Sequence, residues 1–246
     1  MPGRAKALGA GCAVALILLM LCAVAVGQTE TKKAAPKAVH AKATATDRPI
    51  VKAYGSSSAP IKMEVFTDYQ CPSCRNLFEQ TLRPLINDYV ASGKVYLVHH
   101  DFPLSSHQYS GQAARWANAA AIVGEFGNVE AALYDNQESW EQNGDVVKYV
   151  SGAMSAAEFK RAEEIVKGCD YPAITSKPDG SDPLAGVAHP CGLDLAIAQD
   201  VRLGYKIPVR ATPTYVITYK GQSLPAGSGF VSWPILKQFF DSLESH

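Results

Sequence analysis

Apolar and polar positions change rhythm several times along this 246-residue chain, and each change marks an element. Ile61 to Thr67 is rich in β-formers and predicts a strand, with a turn over Gly55 to Pro60 before it. Leu77, Leu82, Leu85, Ile86 and Tyr89 fall at helical spacing up to Gly93, and Pro84 predicts a kink in that helix. Lys94 to His100 reads as the next strand, ended by Asp101-Phe102-Pro103, which completes a βαβ unit. From Ser110 to about Gly168 the spacing is helical. It covers Ala113 to Val123, Val129 to Trp140, and Ser155 to Val166, where Ser155 and Glu158 form a capping box. Cys169 to Cys191 is a loop punctuated by Pro172, Pro178, Pro183 and Pro190, and Leu193 to Leu203 is a further helix with Gly204 as its C-cap. Thr214 to Tyr219 is a strand, Lys220-Gly221 a turn, and Gln222 to Phe230 a second strand interrupted by Pro225 and Gly227. Ser232 caps an amphipathic helix carrying Trp233, Ile235, Leu236, Phe239, Phe240 and Leu243. The order is βαβ, a helical block, then ββα: an α/β chain without internal repeats.

Composition separates the N-terminus from the rest. Arg4 and Lys6 precede an uncharged apolar run from Ala7 to Gly27, and Ala25-Val26-Gly27 supplies the small residues a signal peptidase reads. Residues 1–27 are therefore expected to be a signal peptide, cleaved before Gln28. The alternative is an uncleaved membrane anchor, since the run is long enough to span a bilayer. Leu21 before Cys22 argues against a lipid anchor there. Residues 28–48 are rich in Ala, Lys and Thr, too polar to offset their ordering entropy, and predict a disordered tether. From Pro49 onward, 16 basic residues stand against 21 acidic ones, with no Lys/Arg cluster, which excludes nucleic acid as the expected partner. Residues 49–246 form the folded domain.

Two of the six cysteines, Cys12 and Cys22, fall in the signal, leaving Cys71, Cys74, Cys169 and Cys191. An even number in an exported chain suggests disulfides, with three connectivities open. Cys71-Pro72-Ser73-Cys74 sits where a strand gives way to a helix. There the first thiol meets unsatisfied N–H groups and the positive end of the helix dipole, both of which favour its thiolate. Pro72 suits the first helical position because it has no N–H to leave unsatisfied. The CxxC pair closes on itself when oxidised, leaving Cys169 and Cys191 for each other. That structural bridge would contribute roughly 3 kcal/mol by loop-closure entropy. A second redox pair is the alternative. His189 and Cys191 with Cys71 and Cys74 could in principle make a four-ligand zinc site, but the separation leaves that unsupported, and neither a metal nor a cofactor is expected. His99 and His100 alternate on a strand, so at most one is expected to face the core. Trp116, Trp140 and Trp233 read as packing residues.

Phe66 to Cys74, Asp101-Phe102-Pro103-Leu104, the position of the helical block, and Ala211-Thr212-Pro213-Thr214-Tyr215-Val216 together resemble the DsbA-like thiol–disulfide oxidoreductases. The similarity runs from about Pro49 to Leu243. It implies a thioredoxin fold with a helical insertion at about residues 105–205 between its two halves. By the resemblance, Cys71 is the nucleophile and Cys74 the resolving thiol, while Thr212–Pro213 is a cis bond beside them whose backbone pairs with substrate. Pro72, Ser73, Thr212 and Pro213 tune the site or contact substrate. Strongly oxidising relatives typically carry His where this chain has Ser73, which predicts a less stabilised thiolate here. The family often has a buried acid six residues before the first cysteine. This chain has Val65 there, and Glu64 reads as a surface charge on the opposite face.

The implied activity is thiol–disulfide exchange with cysteine-containing exported proteins, as a dithiol oxidase. A membrane partner, DsbB-like or vitamin K epoxide reductase-like, would reoxidise the enzyme. A monomer outside the cytoplasm, periplasmic or tethered to the membrane, is expected. The alternatives are a reductase or isomerase of the same fold, the latter disfavoured because such isomerases usually carry a dimerisation domain, or a chaperone-like module whose CPSC is only structural.

Overall fold

The structure, a computed structural model, describes residues 50–170 and 172–245, so the expected signal and tether lie outside the described residues. β2 (Ile61–Thr67) is the central strand of a six-stranded sheet, pairing in parallel with β3 (Val95–Asp101) and antiparallel with β4 (Thr214–Tyr219). A short β1 (Ala53–Tyr54) extends the sheet beyond β3, while β5 (Gln222–Ser223) and β6 (Gly227–Ser228) both pair with β4. The single strand expected from Gln222 to Phe230 is thus two short pieces. Pro225, which has no N–H for a ladder, lies between them.

The helix after β2 runs as α1 (Pro72–Leu77), a π-helical turn at Phe78–Leu82, α2 (Arg83–Leu85) and a second π turn at Ile86–Val90. Pro84 sits between the two wide turns. Its missing N–H breaks the regular ladder, and the backbone re-pairs around the gap. The insertion comprises α3 (Ser110–Val123), α4 (Phe126–Asp135), α5 (Gln137–Trp140), α6 (Val146–Gly152) and α7 (Ala156–Lys167). The capping box at Ser155 and Glu158 opens α7 as its pattern requires. The helix expected from Val129 to Trp140 is broken at Asn136, whose side chain donates to the Ala132 carbonyl at 2.8 Å and competes with the backbone ladder. A Cys169–Cys191 disulfide, with Cα atoms 5.2 Å apart, closes the Pro-rich loop at the start of α8 (Gly192–Lys206), and α9 (Trp233–Glu244) ends the fold. Gly204 is not a C-cap. It lies within α8, where a Cβ would come within 2.6 Å of the Phe102 ring, so the glycine lets α8 close on the end of β3.

Both faces of β3 are covered, and of its two histidines only His99 is fully buried, as the alternation requires. His99 is buried against α4, its Nδ1 2.8 Å from Glu130. His100 faces α8, stacks on Phe66, and lies between Asp200 at 2.8 Å and Glu64 at 3.1 Å. Glu64 is therefore no free surface charge. It joins a network centred on buried Lys52, whose ammonium donates to Asp101 at 2.5 Å, Asp200 at 2.9 Å and Asn118 at 3.0 Å. These bonds tie the segment before β1 to β3, α3 and α8. Trp116 and Trp140 are core residues, and Trp233 packs edge-on against Tyr89.

Candidate active site

Cys71 ends the turn that follows β2. Its N–H donates to the Asp68 carbonyl at 3.1 Å, and its own carbonyl accepts from Cys74 at 3.0 Å and Arg75 at 3.1 Å, closing the first turn of α1. Its backbone is extended (φ −76°, ψ 118°), as an N-cap requires, and Pro72 follows at the first helical position. Both thiols are free; Cys71 is 7% exposed and Cys74 1%. Pro72 is exposed and Ser73 half-buried.

Thr212 approaches from the other half of the fold. The Thr212–Pro213 bond is cis, and the Thr212 carbonyl accepts a hydrogen bond from Cys71 Sγ at 3.3 Å. The Thr212 hydroxyl is buried with no partner other than the Cys71 sulfur. Pro213 presents its carbonyl to Gly229 N–H at 2.8 Å, which links this loop to β6. Beside it, Tyr215, Ile217, Leu224, Val231, Ile235 and Phe239 line an apolar groove of about 290 Å³ between β4 and α9.

The two thiols ionise in opposite senses. A hydrogen bond from Cys74 is the main reason the Cys71 thiol falls to about 6. The Thr212 side chain and the Cys74 N–H assist, while burial and the charge of Asp68 oppose. Burial, then the hydrogen bond to Cys71 and its charge, pushes the Cys74 thiol well above the ordinary range. One sulfur is thus an anion near neutral pH, and the other holds its proton and donates it to the first.

Sequence reasoning missed three residues that shape this site. Gln137, turned inward by the break at Asn136, donates to the carbonyls of Tyr69 at 2.6 Å and Cys71 at 3.1 Å. Asp68, 1% exposed, accepts from the N–H groups of Gln70 and Leu104, both at 2.7 Å, from the Ser110 hydroxyl, and from His107 at 2.8 Å. An Asp closing a strand three residues before the CxxC was the only local signal. Gln137 and His107 come from the insertion and its approach loop, so only tertiary structure reveals them. Beside His99, the β3 partner of Val65, lies a buried acid, Glu130 of α4, which accepts from Tyr54 at 2.5 Å and has His99 Nδ1 2.8 Å away.

Cys169 and Cys191 are remote in role, each consumed by the other. Cys191 therefore has no thiolate to share with Cys71 and Cys74, and His189 is exposed. A carboxylate of Asp194 lies close to both disulfide sulfurs, but Asp194 is held by Arg115 at 2.6 and 2.8 Å.

Comparison with known proteins agrees with this architecture. The family model described as Thioredoxin matches residues 47–176. No curated protein matches the chain. Among solved structures, alpha-DsbA1 from Wolbachia pipientis shares 16% identity at a TM-score of 0.58, covering 82% of this chain and 96% of that one. BdbD from Bacillus subtilis, in oxidised form, shares 17% at 0.57, covering 80% and 94%. A thioredoxin-like oxidoreductase from Silicibacter pomeroyi DSS-3 shares 21% at 0.53, covering 82% and 96%. The chain belongs to the thioredoxin family, and its α/β fold with a helical insertion is similar to that of these solved structures.

Proposed function

We propose that this chain is an exported thiol–disulfide oxidoreductase acting on cysteine-containing proteins as a dithiol oxidase, with Cys71 and Cys74 as its redox pair. The opposed ionisation of the two thiols carries this reading. In the forward cycle a substrate thiolate attacks Cys71 of the Cys71–Cys74 disulfide. The mixed disulfide forms, the enzyme's S–S bond breaks, and Cys74 leaves and takes up a proton. A second substrate thiolate then attacks the substrate sulfur. The substrate disulfide forms, and Cys71 leaves as a stable thiolate. Two electrons have moved to the enzyme, and a quinone-linked membrane partner, DsbB-like or vitamin K epoxide reductase-like, would remove them.

The Thr212 carbonyl beside Cys71 supports a role for that backbone in aligning a substrate strand. The apolar groove between α9 and β4, the strand that follows this loop, suits a protein substrate. Ser73 supplies no charge, and a Cys71 thiol at about 6 lies between the roughly 3.5 of the strongest oxidant and the roughly 7 of thioredoxin. An intermediate potential is therefore expected. The N-terminal apolar run supports export, and the Cys169–Cys191 bridge suits an oxidising compartment. Among the described residues no helix is long and apolar enough to cross a membrane.

Equilibration with glutathione buffers, following the Cys71–Cys74 disulfide, tests the direction. A potential above about −200 mV supports dithiol oxidation, and one below about −250 mV assigns the chain to electron delivery instead. Absence of reversible exchange, with peptide binding retained in Cys71→Ser, would leave the chaperone-like module.

A further inference from the structure

His107 belongs to none of the site's sequence motifs. It lies on the loop between β3 and α3, about one quarter exposed, with its Nδ1 2.8 Å from Oδ2 of Asp68. Asp68 is the only buried acid on the turn that delivers Cys71. Its main-chain carbonyl holds the Cys71 N–H, and its side chain is fixed by Gln70, Leu104 and Ser110. It cannot swing away from the cysteines without giving up those donors. Its negative charge opposes ionisation of both Cys71 and Cys74. A carboxylate fixed beside a thiolate is a liability for a redox site unless something offsets it. Within the CPSC segment no positive charge does: Pro72 and Ser73 are neutral, and Arg75, just beyond it, is engaged by Glu138 at 2.7 Å.

We propose that His107 is a positioning residue for the exchange reaction: as imidazolium it cancels the Asp68 charge facing Cys71, and as neutral imidazole it exposes that charge, so the oxidising strength of the site is set by the protonation of His107. The inference rests on the reading of Cys71–Cys74 as a redox pair. The charged and titrating groups that face the histidine are Asp68 on the β2–α1 turn, Cys71 on α1, and Glu141 after α5. The Asp68 hydrogen bond, then the charges of Asp68, Cys71 and Glu141, hold its proton above the ordinary range against the opposing effect of burial. Its partly exposed edge lets it exchange protons with solvent. Stabilising the Cys71 thiolate stabilises the dithiol form, so losing the imidazolium makes the pair a weaker oxidant.

The test is His107→Gln, which keeps an N–H donor for Asp68 but never carries charge. The Cys71 thiolate is titrated by its ultraviolet absorbance, and the disulfide is equilibrated with glutathione at several pH values. The expected result is a Cys71 midpoint raised by about one pH unit, the low end of the effect of a neighbouring charge. The equilibrium should shift by up to about tenfold towards the disulfide between the Cys71 midpoint and the His107 titration, with the two proteins converging below the first and above the second. His107→Lys, cationic throughout, should keep the parental midpoint and lose the pH dependence. Asp68→Asn with His107→Gln should differ from Asp68→Asn alone by much less than His107→Gln differs from the parent, because the histidine acts chiefly through the carboxylate. Exchange that persists in His107→Gln with an unmoved Cys71 midpoint would overturn the inference and leave the redox reading intact. No exchange in the parent would instead overturn the redox reading.

Discussion

Replacing Cys74 by Ala isolates the interaction that most favours the Cys71 thiolate. The parent sulfur titrates at about 6, and its largest favourable contribution is the hydrogen bond from the buried Cys74 thiol. A hydrogen bond to a charged group contributes about 1.5–3 kcal/mol, equivalent to about 1–2 pH units. The Thr212 side chain and the backbone N–H of residue 74 remain in the variant, while burial and Asp68 still oppose. Its Cys71 midpoint should therefore rise to about 7–8. At pH 7 the thiolate would fall from about nine-tenths of the population to about one quarter for a midpoint near 7.5.

A single alkylation rate at pH 7 would miss this change. Nucleophilicity per thiolate grows with basicity at a Brønsted slope of about 0.4–0.5, a gain of about fivefold over 1.5 units. That nearly cancels the roughly fourfold loss of thiolate. The diagnostic assay is the full pH profile of alkylation, or thiolate absorbance from pH 4 to 10, in Cys74→Ala against the reduced parent. A midpoint within about 0.3 unit of the parent's would refute the assignment of Cys74 as the donor. The same arithmetic locates the benefit of a low value. It gives Cys71 little advantage as an attacking group and a large one as a leaving group, the role proposed for it when substrate disulfide is released.

Lys52→Met should destabilise the domain by about 3–5 kcal/mol, the cost of leaving buried carboxylates without their cation, here Asp101 and Asp200. Urea unfolding followed by tryptophan fluorescence reads it, and a loss below about 1 kcal/mol would mean the carboxylates are satisfied without Lys52. Burial opposes the charge of His100, but Asp200 and Glu64 outweigh it and hold His100 up to about 9. Its stabilising contribution is thus complete below about 6.5 and lost as pH rises through 9. His100→Gln should flatten that alkaline slope of the urea midpoint, and an unchanged slope would contradict the pairing. Gly204→Ala drives a methyl to within 2.6 Å of Phe102 and should cost about 1–3 kcal/mol by overpacking; a neutral result would show that α8 can retreat from β3.

What could be read in the sequence was whatever one segment decides alone. The strand-to-helix junction at Cys71 follows from β-formers giving way to Pro at the first helical position, and the start of α7 from Ser155 and Glu158 three residues apart. What escaped depends on what covers a face. Alternation at His99 and His100 separates two faces correctly, but no local pattern says that α4 waits on one side and α8 on the other. The same limit hid Lys52, which reads as a solvent-seeking charge until three distant partners converge on it. It also hid the control of the active site. The two cysteines are local, but the groups that hold and charge them come from afar: Thr212 from the second half of the fold, Gln137 from a helix opened by one asparagine, His107 through Asp68. The helical insertion is therefore more than an addition to a redox core. It supplies Gln137 to the Cys71 carbonyl and, on its approach loop, the histidine beside Asp68, so a chain with an uncharged CPSC segment can draw its electrostatic environment from outside that segment.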